Sequence, residues 1–128
     1  MLVESIESSA FLLNTFVETI TGGTALKTIG DYAFYGSEKL QSIVLSTTVE
    51  MIGKRAFGRC KELIEIVLPE TIERIESEAF KLSGLQNVLF EGNDEPTVCK
   101  INAFDSTNID SISVLQIYQN TSFCGEKI

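Results

Sequence analysis

Apolar residues recur along this chain with a period of 23, and the dipeptide Ala-Phe marks each repeat at Ala10-Phe11, Ala33-Phe34, Ala56-Phe57, Ala79-Phe80 and Ala103-Phe104. The steps between them are 23, 23, 23 and 24, and the dipeptide takes five of the six alanines and five of the eight phenylalanines. Other apolar slots keep the same phase. Four residues before each alanine stand Ile6, Ile29, Ile52, Ile75 and Cys99, and seven before it stand Val3, Leu26, Val49 and Ile72, the slot failing only at Pro96. A fixed period of this length is the signature of a solenoid, in which stacked coils bury a core that no single coil can bury alone.

Downstream of Ala-Phe the second and third units read Leu40-Gln-Ser-Ile43-Val-Leu45 and Leu63-Ile-Glu-Ile66-Val-Leu68. The fourth and fifth, one residue shorter here, read Leu85-Gln-Asn-Val88-Leu-Phe90 and Ile109-Asp-Ser-Ile112-Ser-Val114. Alternation of period two predicts at least one short strand per coil. The segment through Ala-Phe ends in Gly36, Gly58 or Gly84 and small polar residues, which predicts a tight turn or a single helical turn. Ala suits a close approach between coils, and Phe fills the coil's centre. The chain thus reads as one domain, 1–128, with coils over 3–25, 26–48, 49–71, 72–95 and 96–115. A compressed half-coil, marked by Leu115, Tyr118, Ser122 and Phe123, would form a C-terminal cap over 116–128. The first coil is irregular, keeping Val17 and Ile20 but carrying Gly22 where leucine is expected.

The third unit runs Ile52-Gly-Lys-Arg-Ala-Phe-Gly-Arg-Cys60-Lys-Glu-Leu63-Ile-Glu-Ile66-Val-Leu68-Pro69. It resembles the BspA-like leucine-rich repeats of bacteria and protists, and the resemblance extends from residue 3 to about 115. Elsewhere the Cys60 slot holds Asn14, Ser37, Ser83 and Thr107, and the proline after the strand recurs nowhere but at Pro69. The resemblance implies a right-handed leucine-rich-repeat solenoid with a parallel β-sheet. It also implies a non-enzymatic surface or adhesion-type protein that binds a host or matrix protein. The alternative is an intracellular leucine-rich-repeat scaffold.

In a parallel ladder the same slot of successive coils lies side by side, ~4.8 Å apart. With Ile43 and Leu45 inward, one outward row carries Thr21, Val44, Val67, Leu89 and Ser113, and its neighbour carries Thr19, Ser42, Glu65, Asn87 and Ser111. Val44, Val67 and Leu89 would form an apolar stripe beside a polar rail of Ser42, Glu65 and Asn87, a pattern that marks interaction sites. β-Branched residues also suit strands wherever they lie. The repeat phase is already running at Val3 with no polar cap before it, which predicts self-association through the N-terminal coil or continuation as part of a longer array.

Composition narrows the partner. A net charge of −8 disfavours nucleic acid and anionic membranes, both of which need a cationic surface. A basic or apolar protein partner fits better. The sequence shows no signal peptide and no run long enough to span a bilayer, so it carries no address and no membrane insertion is expected. Cys60, Cys99 and Cys124 lack metal-site spacing and read as free, partly buried thiols, compatible with a reducing compartment. With no histidine in the chain, His-based triads and the usual zinc sites are excluded. Gly22-Gly23 lacks the spacing of a phosphate loop, so no cofactor is expected. Asn93-Asp94-Glu95 reads as a solvated turn rather than a calcium loop, and Arg55, Arg59 and Arg74 as scattered solvated charges. Asn120-Thr121-Ser122 is a glycosylation sequon, relevant if the chain is secreted.

Overall fold

The computed structural model describes residues 3–100, 102–107, 111–114, 122–124 and 126–127. Ile109, Leu115, Tyr118 and the Asn120-Thr121 part of the sequon lie outside the described residues. Each coil contributes two short parallel strands. On the first side stand β1 (Ser5–Ile6), β3 (Thr28–Ile29), β5 (Met51–Ile52), β7 (Arg74–Ile75) and β9 (Val98–Cys99), hydrogen-bonded in that order. On the second stand β2 (Thr19–Thr21), β4 (Ser42–Val44), β6 (Glu65–Leu68), β8 (Asn87–Phe90) and β10 (Ser111–Val114). The second side is two ladders, β2 with β4 and β6-β8-β10; β4 and β6 lie side by side without strand pairing.

Register follows the sequence period. Ile6 pairs with Ile29, Ile29 with Ile52, and Ile52 with Ile75, one coil apart in each case. On the second side Ile20 pairs with Ile43 and Ile66 with Val88. These are the inward residues: Ile43, Ile66 and Val88 are buried while the residues between them face solvent.

The Ala-Phe segment forms the third side of each coil, and among the described residues it is a turn, not a helix. Its backbone also bonds between coils. The N–H groups of Tyr32, Phe34 and Gly36 donate to the carbonyls of Lys54, Ala56 and Gly58, and the pattern recurs at Arg55, Phe57 and Arg59. In the first four coils two residues per turn adopt the left-handed conformation. Ser9, Tyr32, Arg55 and Glu78 do so directly before alanine, and Leu13, Arg59, Leu82 and Ser106 three residues after it, where Gly36 supplies the second coil. Left-handed backbone costs a non-glycine residue ~1–2 kcal/mol, so inter-coil bonding must hold it. The avoidance of β-branched residues at these slots is the sequence's accommodation to that strain.

The core is a set of side-chain columns. Phe11, Phe34, Phe57, Phe80 and Phe104 stack with centroid separations of 5.1, 5.3, 5.4 and 5.1 Å and nearly parallel planes. Ala33, Ala56, Ala79 and Ala103 are fully buried beside them. The variable polar slot after Ala-Phe bonds to the preceding coil where it holds Ser37 or Cys60: Ser37 Oγ donates to the Phe11 carbonyl at 2.7 Å and Cys60 Sγ to the Phe34 carbonyl at 3.1 Å. Serine, threonine, asparagine and cysteine all fill that slot because each offers one short polar atom to the turn.

The reading of all three cysteines as free thiols is corrected. Cys99 and Cys124 form a disulfide with Cα atoms 5.3 Å apart, and Cys60 alone is free and buried. Cys99 ends β9, while Cys124 belongs to an antiparallel hairpin of β11 (Ser122–Phe123) and β12 (Glu126–Lys127). Phe123 of that hairpin is fully buried, with its ring 4.6 Å from Phe90 and 6.4 Å from Phe104. The Cys124 N–H donates to the carboxylate of Glu95. Glu95 is therefore a hydrogen-bond acceptor for the hairpin within the Asn93-Asp94-Glu95 turn.

Candidate functional site

The outward row of the second side is where the apolar surface collects. Val44, Val67 and Leu89 are 56%, 44% and 38% exposed, large values for residues of their type within strands. Strand alternation causes this: Ile43, Ile66 and Val88 take the inward positions, so their successors must point out. Val67 stands opposite Leu89 in the β6-β8 register, and Glu65 stands opposite Asn87. Thr21 stands opposite Val44 and Thr19 opposite Ser42. Ser42, Glu65 and Asn87 are all exposed. The structure thus brings the six residues onto one side, three apolar and three polar. β10 extends the ladder, with Ser111 opposite Asn87 and Ser113 opposite Leu89.

Ile64 belongs to the same surface. It is 40% exposed and, with Gln41, Lys61, Glu62 and Glu65, lines a shallow groove of about 510 Å³. The groove lies where β4 and β6 run alongside each other unpaired. Gln41 Nε2 donates to Glu62 Oε2 at 3.0 Å across it, and Lys61 pairs with Glu38 at 2.8 Å. Period alone does not find Ile64, because the residue before a strand has no fixed orientation until the strand's entry is built.

A second apolar surface lies at the first coil. Val3, Leu12, Leu13 and Phe16 are exposed, Phe16 at 87%, and Ile6, Phe11, Val17 and Ile20 are half-buried where their counterparts in later coils are covered. Gly22, standing where leucine is expected, leaves a concavity of about 560 Å³ lined by Val3, Ile6, Ile20, Ala25 and Leu26 among others.

Of the three arginines, Arg55 is not a free solvated charge, while Arg59 and Arg74 are exposed. Arg55 Nε bonds to Glu78 Oε2, and its Nη1 lies 3.4 Å from the hydroxyl of Tyr32. Lys81 Nζ reaches Glu78 Oε1 at 2.8 Å and Asp105 at 3.5 Å. The Arg55 hydrogen bond, with that of Lys81 second, holds the Glu78 carboxyl down to about 2. The same partner raises both Arg55 and Lys81. Arg55 and Glu78 are 23 residues apart, so they occupy one slot in adjacent coils; the period itself carried that signal. Arg74 pairs with Glu76 at 2.7 Å. Among the described residues no cluster of three or more metal-ligating side chains occurs, and no helix is long and apolar enough to cross a membrane.

The profile of the BspA type leucine rich repeat region matches residues 3–127 in six copies, one more than the five coils marked by Ala-Phe. The chain belongs to the BspA-type leucine-rich repeat family. Solved structures of similar fold include a leucine rich cell surface protein from Faecalibacterium prausnitzii A2-165, at a TM-score of 0.74 and 24% identity over 88% of this chain. The pneumococcal vaccine antigen PcpA matches at a TM-score of 0.70 and 23% identity over 91% of this chain. This BspA-type chain spans about a third of each, 30% and 32% of their lengths. No curated protein matches the sequence significantly. These likenesses establish the leucine-rich-repeat fold and leave the partner to the surface chemistry.

Proposed function

We propose that this BspA-type domain is a non-enzymatic protein-binding module of a surface or adhesion-type protein, with Val44, Val67 and Leu89 as its apolar contacts and Ser42, Glu65 and Asn87 as the polar rail beside them. The observation that carries the reading is a row of exposed apolar side chains at one slot of three successive coils, Val67 and Leu89 on paired strands and Val44 on β4 beside them, since monomeric surfaces rarely hold such rows without a use. Coils joined by the five-stranded sheet on the first side and by hydrogen bonds between turns make a stiff platform, so little conformational entropy is lost when a partner settles on it. The Cys99–Cys124 disulfide supports an oxidising compartment and disfavours the intracellular scaffold, because cytosolic thiols are kept reduced. The net charge of −8 favours a partner that is basic or apolar at the contact.

The triple variant Val44→Ser, Val67→Ser, Leu89→Ser tests the face. Capture of the extracellular partner, host or matrix protein, is expected to be lost while the circular dichroism spectrum stays that of the parent. Undiminished capture by a correctly folded triple variant sinks the reading. Phe16 and Leu13 at the first coil favour a second contact, the self-association of two copies through that coil. A constant monomer mass by light scattering over a broad concentration range would remove it.

A further inference from the structure

The turn side of the solenoid contains a gap in one of its side-chain columns. Two residues after each alanine stand Leu12, Tyr35, Gly58, Lys81 and Asp105, so four coils of five place a side chain there and the third does not. Gly58 is not demanded by its backbone: the glycine with positive φ is Gly36, in a different slot, and the counterparts of Gly58 carry large side chains. What glycine provides at this point is room for the Tyr35 ring. A Cβ on residue 58 would meet the Tyr35 ring at 2.8 and 3.0 Å, and the space beside it is a concavity of about 250 Å³ lined by Tyr35, Arg55, Arg59, Lys81 and Leu82.

Three of the ten basic residues of an acidic chain meet at this gap. Two are held in place from behind. Glu78 bonds to both Arg55 and Lys81, and the Tyr32 ring lies under the Arg55 guanidinium at 5.9 Å. Arg59 is exposed and makes no ion pair among the described residues, and its left-handed backbone, φ 57, is fixed by the N–H it donates to the Lys81 carbonyl at 2.9 Å. Counting Glu78 and Asp105 against the three cations leaves one net positive charge at the concavity. The lining is thus held at Arg55 and Lys81, cationic by a single charge, and flanked by the apolar surfaces of Tyr35 and Leu82.

We propose that this concavity binds one carboxylate, carried on a glutamate or aspartate side chain of an acidic peptide. Arg59 is the principal ligand, with the remaining donors of Arg55 and Lys81 beside it. A carboxylate matches the single net charge, whereas a phosphate dianion exceeds it. Tyr35 and Leu82 accept the methylene groups that a glutamate side chain brings. The site occupies a different segment of the coil from the Val44, Val67 and Leu89 row, so its occupancy is independent of that face.

The test is fluorescence anisotropy with a labelled Gly-Glu repeat peptide, a matched Gly-Gln peptide and a matched Gly-phosphoserine peptide, at low and at high salt. The Glu peptide is expected to bind the whole chain, more weakly as salt rises, while the Gln peptide does not bind. Arg59→Ser, which breaks no described ion pair, is expected to weaken binding about tenfold or more, as loss of a charged hydrogen bond does. Gly58→Leu, whose Cβ would meet the Tyr35 ring at 2.8 Å and displace it from the lining, is expected to weaken binding as well, with an unchanged circular dichroism spectrum. Arg74→Ser, on another side of the coil, is expected to bind as the parent. Equal binding of the Gln peptide, tighter binding of the phosphoserine peptide, or parental affinity in both Arg59→Ser and Gly58→Leu would overturn the proposal.

Discussion

Replacing Phe57 with leucine isolates what the aromatic column contributes to cohesion between coils. The Phe57 ring is fully buried between Phe34 and Phe80, at centroid separations of 5.3 and 5.4 Å with planes inclined by 5° on either side. Leucine retains most of the apolar burial, so the loss is dominated by two ring contacts. At ~0.5–1.5 kcal/mol for each contact, Phe57→Leu is expected to cost ~1–3 kcal/mol. Phe11 is half-buried at the end of the column and meets one ring, Phe34, at 5.1 Å. Its replacement by leucine is expected to cost ~0.5–1.5 kcal/mol, a single contact.

Urea unfolding followed by circular dichroism reads both values from the midpoints, provided the m-value is unchanged. A double variant sharpens the result. Phe34→Leu and Phe57→Leu share the contact between them, so together they should cost less than their sum by ~0.5–1.5 kcal/mol. Phe11→Leu and Phe80→Leu share none and should add. Equal costs for Phe57→Leu and Phe11→Leu, or full additivity at positions 34 and 57, would refute a column held by ring-to-ring contact.

Two further outcomes follow from the titrating and redox groups. Glu78 is held at about 2 in the fold against an ordinary 4.5, so its ion pairs stabilise fully above 4.5 and are lost as pH falls through 2. Glu78→Gln should therefore flatten the fall in melting temperature across that window, and an unaltered acid limb would show that Arg55 and Lys81 do not depend on it. Burial pushes the Cys60 thiol up to about 12, and Cys99 is bonded to Cys124. A thiol-specific reagent at neutral pH should accordingly find none in the native protein, one after unfolding and three after unfolding with reductant; three without reductant would disprove the bridge.

The period of 23 made the inward columns and the outward face legible, since each depends on which residues repeat at which interval. Val44, Val67 and Leu89 were placed by alternation alone, and the coordinates put them on one exposed side. The two strands per coil were only half visible. β1, β3, β5, β7 and β9 span two residues each, too short for alternation to register, and they exist because neighbouring coils supply their partners. The turn conformation was also hidden: left-handed residues such as Tyr32, Arg55 and Leu82 are chosen by inter-coil hydrogen bonds, against their intrinsic preference.

What the sequence by itself determined about this protein is its one-dimensional order: a leucine-rich-repeat solenoid in which slot n of one coil meets slot n of the next. A repeat carries that information in its spacing, because neighbouring coils are identical environments. Tertiary structure alone decided what departs from the repeat. The Cys99–Cys124 bridge and the packing of Phe123 on Phe90 and Phe104 join a non-repeating hairpin to the last coils. The concavity at Gly58 emerges only when Tyr35, Arg55, Arg59 and Lys81 are set around it in space. Both depend on contacts between unlike residues, for which a period holds no record.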